Sequence, residues 1–239
     1  MQEAVVSNPL EMDQKERTTS IYLWLLMPLG IGAILWAALG IHTENINRGT
    51  LGLAFVTIFL SSYLRVQLPR TKIHLTISDA LVFLSMLMYG GQVAVLIAVL
   101  ETCFASWNLR RQGVTMKLKT VVINTLITAI SVFVTYGAVA VLYGTPDVEL
   151  LTNDTTSFIW LLAVMALSQF CVNSLAVSAF VAIKTETTLW KVWNEYCLNA
   201  LAMYLCGAVV AGICAKAVMQ INMLLFAAMV AFFAVVYIT

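Results

Sequence analysis

Residues 68–107 read LPRTKIHLTISDALVFLSMLMYGGQVAVLIAVLETCFASW, and how this stretch is folded decides the architecture of the chain. It starts at a proline, Pro69. Ile73–Ile77 then alternates apolar and polar residues, a pattern suited to extended backbone. Ser78 or Asp79 can cap the helix that follows, and Asp79 also suits the positive end of a helix dipole. Two apolar runs come next, Ala80–Tyr89 and Gln92–Trp107, hinged on Gly90-Gly91, with Glu101 inside the second. A membrane crossing needs about 20 apolar residues, so the first run is too short alone and the second is about the minimum. The stretch is therefore one kinked helix or a hairpin of two short ones.

The composition around it places the chain in a membrane. Of 239 residues, 61% are hydrophobic and 10% charged, with mean hydropathy +0.91. A soluble globular domain carries about 25% charged residues. The formal net charge of +1 gives no broad basic face for nucleic acid. The five cysteines lie in or beside apolar runs, are odd in number and contain no CxxC, so they read as small buried hydrophobes.

Residues 1–20 are mixed in charge and lack the apolar core of a signal peptide, which predicts a cytoplasmic N-terminal tail before a membrane domain over 21–239. Spans are predicted at Tyr22–Ile41, Leu51–Val66, Val121–Tyr143, Phe158–Ile183, Trp193–Met219 and Met223–Thr239. The first has small residues Gly32 and Gly40, with Ala33 and Ala37 beside them, for close packing. Charge then chooses between kink and hairpin. Lys and Arg concentrate on the cytoplasmic side. One cluster, Arg65, Arg70 and Lys72, precedes the stretch; another, Arg110, Arg111, Lys117 and Lys119, follows it. A hairpin leaves both clusters cytoplasmic. The expected fold is an all-α polytopic bundle of about eight membrane segments, both termini cytoplasmic, with the hairpin hinged at Gly90-Gly91.

Ionisable groups at membrane depth are costly and point to function. Glu101 reads as a ligand contact, cation site or protonation switch facing the bundle interior, or as a helix-end carboxylate paired with Arg110 or Arg111. Asp79 reads as a ligand contact or a cap. Thr120, Asn124, Thr128, Ser131 and Thr135 form one stripe within about 80° of a helix, which can line a cavity or glue helices together. Gln169 and Asn173, one turn apart, and Asn199 on the next span can face the same interior. The candidate ligand-binding set is Asp79, Glu101, Asn124, Gln169, Asn173 and Asn199. Lys216 is expected to snorkel to the outer interface. His74 has no second ligand at metal spacing, and no nucleophile–base pair or phosphate-cradling loop is present, so no metal, cofactor or catalytic residue is assigned.

Two resemblances add to this reading. IHLTISDALVFLSMLMYGGQVAVLIAVLE is similar to a pattern in the substrate-binding S components of energy-coupling-factor vitamin transporters, where Gly91 stands in place of a frequent proline. Ala33-xxx-Ala37 resembles the small-residue motif by which S components dock their membrane partner. LPRTKIHLTISDALVFLSMLMYGGQVAVLIAVLETCFASWNLRRQ followed by TVVINTLITAISVF resembles the MASE-like membrane-embedded sensor regions that precede GGDEF or HD-type output domains in bacterial signalling proteins, and the resemblance runs from about Gly52 to the end. That resemblance implies a multi-pass sensor in the bacterial inner membrane, truncated here before a cytoplasmic domain that makes or degrades cyclic di-GMP. Expected partners are the lipid bilayer, a small-molecule or lipid ligand and a second copy of the chain. The S-component resemblance implies the alternative, a subunit that binds a vitamin-sized transport substrate.

Overall fold

The computed structural model describes residues 9–41, 47–60, 65–67, 74–76, 78–114, 117–144 and 154–220. Helix α1 spans Pro9–Gly40 and α2 Arg48–Phe55, the latter continued by a π-helical turn over Val56–Leu60. Two three-residue strands follow, β1 Arg65–Gln67 and β2 His74–Thr76. They pair antiparallel with Arg65 opposite Thr76 and Gln67 opposite His74. Next come α3 Ser78–Tyr89, α4 Gly91–Arg111, α5 Leu118–Tyr143, α6 Thr155–Thr185 and the short α7 Leu189–Val192. A π-helical turn over Trp193–Cys197 leads into α8, Leu198–Gln220.

Among the described residues, five helical stretches are long and apolar enough to cross a membrane: Arg17–Gly40, Gly91–Arg111, Leu118–Tyr143, Thr155–Thr185 and Ala200–Met219. Helices α2 and α3 are apolar but shorter, and the expected segment Met223–Thr239 lies outside the described residues. Large apolar side chains face outward along these helices, among them Trp24, Leu39, Val141, Ile159 and Ile213. A helical bundle with that apolar exterior is a multi-pass membrane protein in contact with lipid.

The polar residues before the first span are helical from Pro9 on: residues 9–20 form the first turns of α1, with Pro9 at the first helical position, which suits proline best. One expectation is corrected. The second span does not reach Val66. Helix geometry is described only to Leu60, and Arg65 and Val66 belong to β1, where their backbone groups pair with β2. The alternation at Ile73–Ile77 corresponds to β2.

Helix α3 is the inner element. Ser78 and every residue from Ala80 to Leu87 are buried, as fits a helix apolar on all sides. It packs against α4 and α8, while α5 packs on α1, α4 and α6. Leu84, Met86, Val95, Val132, Leu161 and Met165 sit near the centre of the core, each at most 1% exposed. Against lipid, such contacts hold helices together by close packing rather than by release of water.

The chain reverses at Gly90, whose φ of 85° and ψ of 174° belong to a region open essentially to glycine. Gly91 has a separate reason to lack a side chain. A Cβ there would lie 2.1 Å from Cγ of Tyr136, so the α5 ring rests on the backbone of α4's first turn. Helix α3 then runs back beside α4, which is the hairpin arrangement. Hydrogen bonds at the opposite end of the bundle gather its basic groups. Lys119 Nζ donates to Ser20 Oγ at 3.4 Å, and Lys184 Nζ to Thr120 Oγ1 at 3.3 Å. The starts of α1's membrane stretch and of α5 therefore lie level with the end of α6.

The small face of α1 differs in detail from its sequence reading. Ala33 and Ala37 are buried at 2% and 0% exposure, whereas a Cβ on Gly32 would meet nothing within 4 Å. Gly30 carries the close approach instead, against Leu126 of α5.

Candidate ligand-binding site

The hairpin puts two acids at one level. Asp79 lies eleven residues before Gly90 and Glu101 eleven after it, so each is about 16 Å from the turn at 1.5 Å per residue. Both line a single cavity of about 230 Å³. One continuous helix would hold them about 33 Å apart.

Five helices build the cavity wall. Helix α3 supplies Ser78, Asp79 and Val82, and α4 supplies Ala98, Glu101 and Thr102. Helix α5 supplies Thr128 and Val132, α6 Gln169 and Asn173, and α8 Tyr204. Helical spacing explains the selection. Asp79 and Val82 are one turn apart, as are Ala98 and Thr102, Thr128 and Val132, and Gln169 and Asn173; each pair presents one face of its helix.

A hydrogen-bonded lattice holds these groups. Thr102 Oγ1 approaches Thr128 Oγ1 at 3.3 Å and donates to the Ala98 carbonyl at 2.9 Å. Asn173 Nδ2 donates to the Tyr204 hydroxyl at 2.6 Å. Thr135 Oγ1, fully buried, lies 2.8 Å from both Gln169 Oε1 and the Ser131 carbonyl. One hydroxyl proton cannot fully serve two acceptors. A half-turn of the Gln169 amide would satisfy both, with Nε2 donating to Thr135 and Thr135 to Ser131. Behind the wall, Trp193 Nε1 donates to Ser174 Oγ at 3.0 Å, and its ring stands against Phe170, which also touches Tyr204.

Four of the six residues singled out from sequence meet in this cavity: Asp79, Glu101, Gln169 and Asn173. Asn124 does not line it; on the same stripe, one turn on, Thr128 does. The backbone of Asn199 lies in α8, but its side chain falls outside the described residues. Asp79 lies in the first turn of α3, where a negative charge suits the helix dipole, and on the cavity wall. Glu101 faces the cavity, while Arg110 sits nine residues on, about 13 Å along the axis and on the opposite face of α4. Arg111 covers the Trp107 ring at 4.3 Å. Tyr204 and Thr102 were not singled out, and Ser78 was read only as a possible cap. Tyr204 had no visible signal, since a tyrosine inside an apolar run is commonplace until its partner is known.

A larger cavity of about 360 Å³ lies between α6 and α8, lined chiefly by Phe158, Ile159, Leu162, Leu205, Val209 and Ile213. Its lining is almost wholly apolar, and Ile159, Val209 and Ile213 are exposed on the lipid-facing surface. Lys216, at its rim, places Nζ 5.0 Å from the Phe158 ring. The smaller cavity is the better ligand site because its polar groups converge. Among the described residues no cluster of three or more His, Cys, Asp or Glu could hold a metal ion. The chain matches no known family model, curated protein or solved structure.

Proposed function

We propose that the chain is the membrane-embedded sensory module of a bacterial inner-membrane signalling protein. A small ligand enters the cavity among α3, α4, α5, α6 and α8. Its binding is relayed through α8 and the segment after it to a cytoplasmic output domain acting on cyclic di-GMP. The observation that carries this reading is the convergence of side chains from five helices on one polar cavity within an apolar helical bundle. Tyr204 makes α8 part of that wall, so whatever displaces the Asn173–Tyr204 hydrogen bond acts directly on the helix that leads to the C-terminus. The ligand must favour one helix arrangement over another, because equal affinity for both shifts nothing.

The basic groups at the Lys119–Lys184 end support a cytoplasmic side there, with Gly90-Gly91 facing outward. The alternative, a vitamin-binding transporter subunit, shares the cavity. Its docking motif does not support it, because Ala33 and Ala37 are buried in this chain's own core.

The test is a diguanylate cyclase reporter joined after Thr239, with cyclic di-GMP measured in cells. Glu101→Ala and Tyr204→Phe should change output, while the lipid-facing Val141→Leu should not. Equal output from all three would overturn the relay.

A further inference from the structure

The larger cavity, between α6 and α8, has the plan of an amphiphile. Its shaft is apolar, and its two polar lining residues stand at one end. Thr155 begins α6, and Lys216 of α8 lies over the Phe158 ring, one turn further on. Helix α8 shapes the shaft. Ala208, Gly212 and Lys216 recur every four residues and so share one face. Ala208 and Gly212 are buried and form the floor, while Val209, Ile213 and, across on α6, Ile159 are exposed and form the walls. A Cβ on Gly212 would lie 2.5 Å from Leu162 Cδ1, so the two helices touch there and close the floor.

The groove's length fits one leaflet. From Leu205 to Lys216 is eleven residues, about 16 Å of helix axis. A hydrocarbon core about 30 Å thick gives each leaflet about 15 Å. Lys216 is four residues from the end of α8 at Gln220, so the groove runs from the membrane interface to about mid-membrane. A partner helix would instead need an apolar face along all of α8. Charge at the mouth is positive, because the described lining holds Lys216 and no acid. The Phe158 ring, 5.0 Å from Lys216 Nζ, orients the ammonium but supplies no counter-ion. Asp154, just before Thr155, turns its carboxylate to the Thr156 and Ser157 amides of its own helix.

We propose that this groove holds one acyl chain of an anionic phospholipid, with the lipid phosphate on the Lys216 ammonium. The chain lies on Ala208 and Gly212 between the exposed walls, and the Thr155 hydroxyl stands level with the headgroup. The lipid belongs to the leaflet away from Lys184, which is at the other end of α6. An apolar shaft one leaflet deep, open to lipid and topped by a cation, matches a phospholipid in polarity, length and charge.

The test is native mass spectrometry of the purified full chain in detergent, titrated with dioleoylphosphatidylglycerol, dioleoylphosphatidylcholine and dioleoylglycerol. These share their acyl chains and differ in headgroup. One phosphatidylglycerol per chain should survive detergent that strips the other two. Lys216→Gln should weaken its retention about fivefold, the factor one lysine contributes at an anionic membrane surface, and Lys216→Arg should restore it. Val209→Trp, at an exposed wall position, should obstruct the groove and lower retention as well. Lys184→Gln, which removes a lysine held over a ring at the other end of α6, should change nothing. If only one of Lys216→Gln and Val209→Trp folds, it decides the matter alone. Equal retention of all three lipids, or phosphatidylglycerol retention that ignores both variants, would overturn the proposal. So would a lipid-free dimer that Val209→Trp converts to monomer, since the groove would then be an interface between copies.

Discussion

Replacing Gly91 by alanine should loosen the hairpin apex by a predictable amount. The added Cβ would sit 2.1 Å from Tyr136 Cγ and 2.5 Å from both Cδ atoms. Carbon atoms prefer about 3.5–4 Å, so the ring must retreat by more than an ångström. The ring also lies 5.6 Å from Trp36, which stands at 5.0 Å from Phe133, so the shift passes to α1. Overpacking of this kind costs about 1–3 kcal/mol. The backbone at Gly91 is ordinary helix, so none of the cost is conformational and all of it comes from the ring. Pairing Gly91→Ala with Tyr136→Ala should therefore recover much of the loss relative to Tyr136→Ala alone. Equilibrium unfolding of the four proteins in mixed micelles gives the coupling as a double-mutant cycle. Gly91→Ala with unchanged stability, or the same loss with and without the Tyr136 ring, would refute the close approach.

Other expectations follow from single contacts. Thr135→Val should destabilise by about 1 kcal/mol, the scale of a hydrogen bond between membrane helices, and Gln169→Leu beside it should remove part of the loss; denaturation midpoints read both. Tyr204→Phe leaves Asn173 without its acceptor, so α6–α8 packing near Phe170 should loosen, seen as faster amide exchange in α8. Asp154 caps α6 through the amides of Thr156 and Ser157, and the Ser157 hydroxyl, with those amides, holds its carboxyl below the usual 3.8. A folded-state value below the unfolded one gives stability that is present above pH 3.8 and is lost as pH falls through the lower value. Because the carboxylate is exposed, the effect should be small, and Asp154→Asn should flatten the acid limb of a melting-temperature profile.

The sequence carried the hairpin because two of its features are local: glycines at the turn and positive charges at both ends. Boundaries of α5 and α6 were legible for the same reason, since long apolar runs end at Lys or Asp. The start of α1 was not, because polar residues 9–20 extend an apolar helix without any change of phase visible in composition. Depth picked out part of the cavity lining. Asp79, Glu101, Gln169 and Asn173 were chosen as polar groups inside spans, and hairpin geometry brings the first two level. What failed was rotation. Asn124 and Thr128 share one stripe, and only packing of α5 against α4 and α6 decides which of them meets the cavity. Tyr204 was missed because its role exists only through Asn173, 31 residues away.

The central claim is that one cavity holds the carboxylates of Asp79 and Glu101, brought there by reversal at Gly90. Nitroxide labels at positions 79 and 101, in a variant without native cysteines reconstituted in nanodiscs, test it by pulsed electron paramagnetic resonance. A folded-back hairpin predicts a distance below about 20 Å. A peak near 33 Å, the rise of 22 residues in one continuous helix, would contradict it.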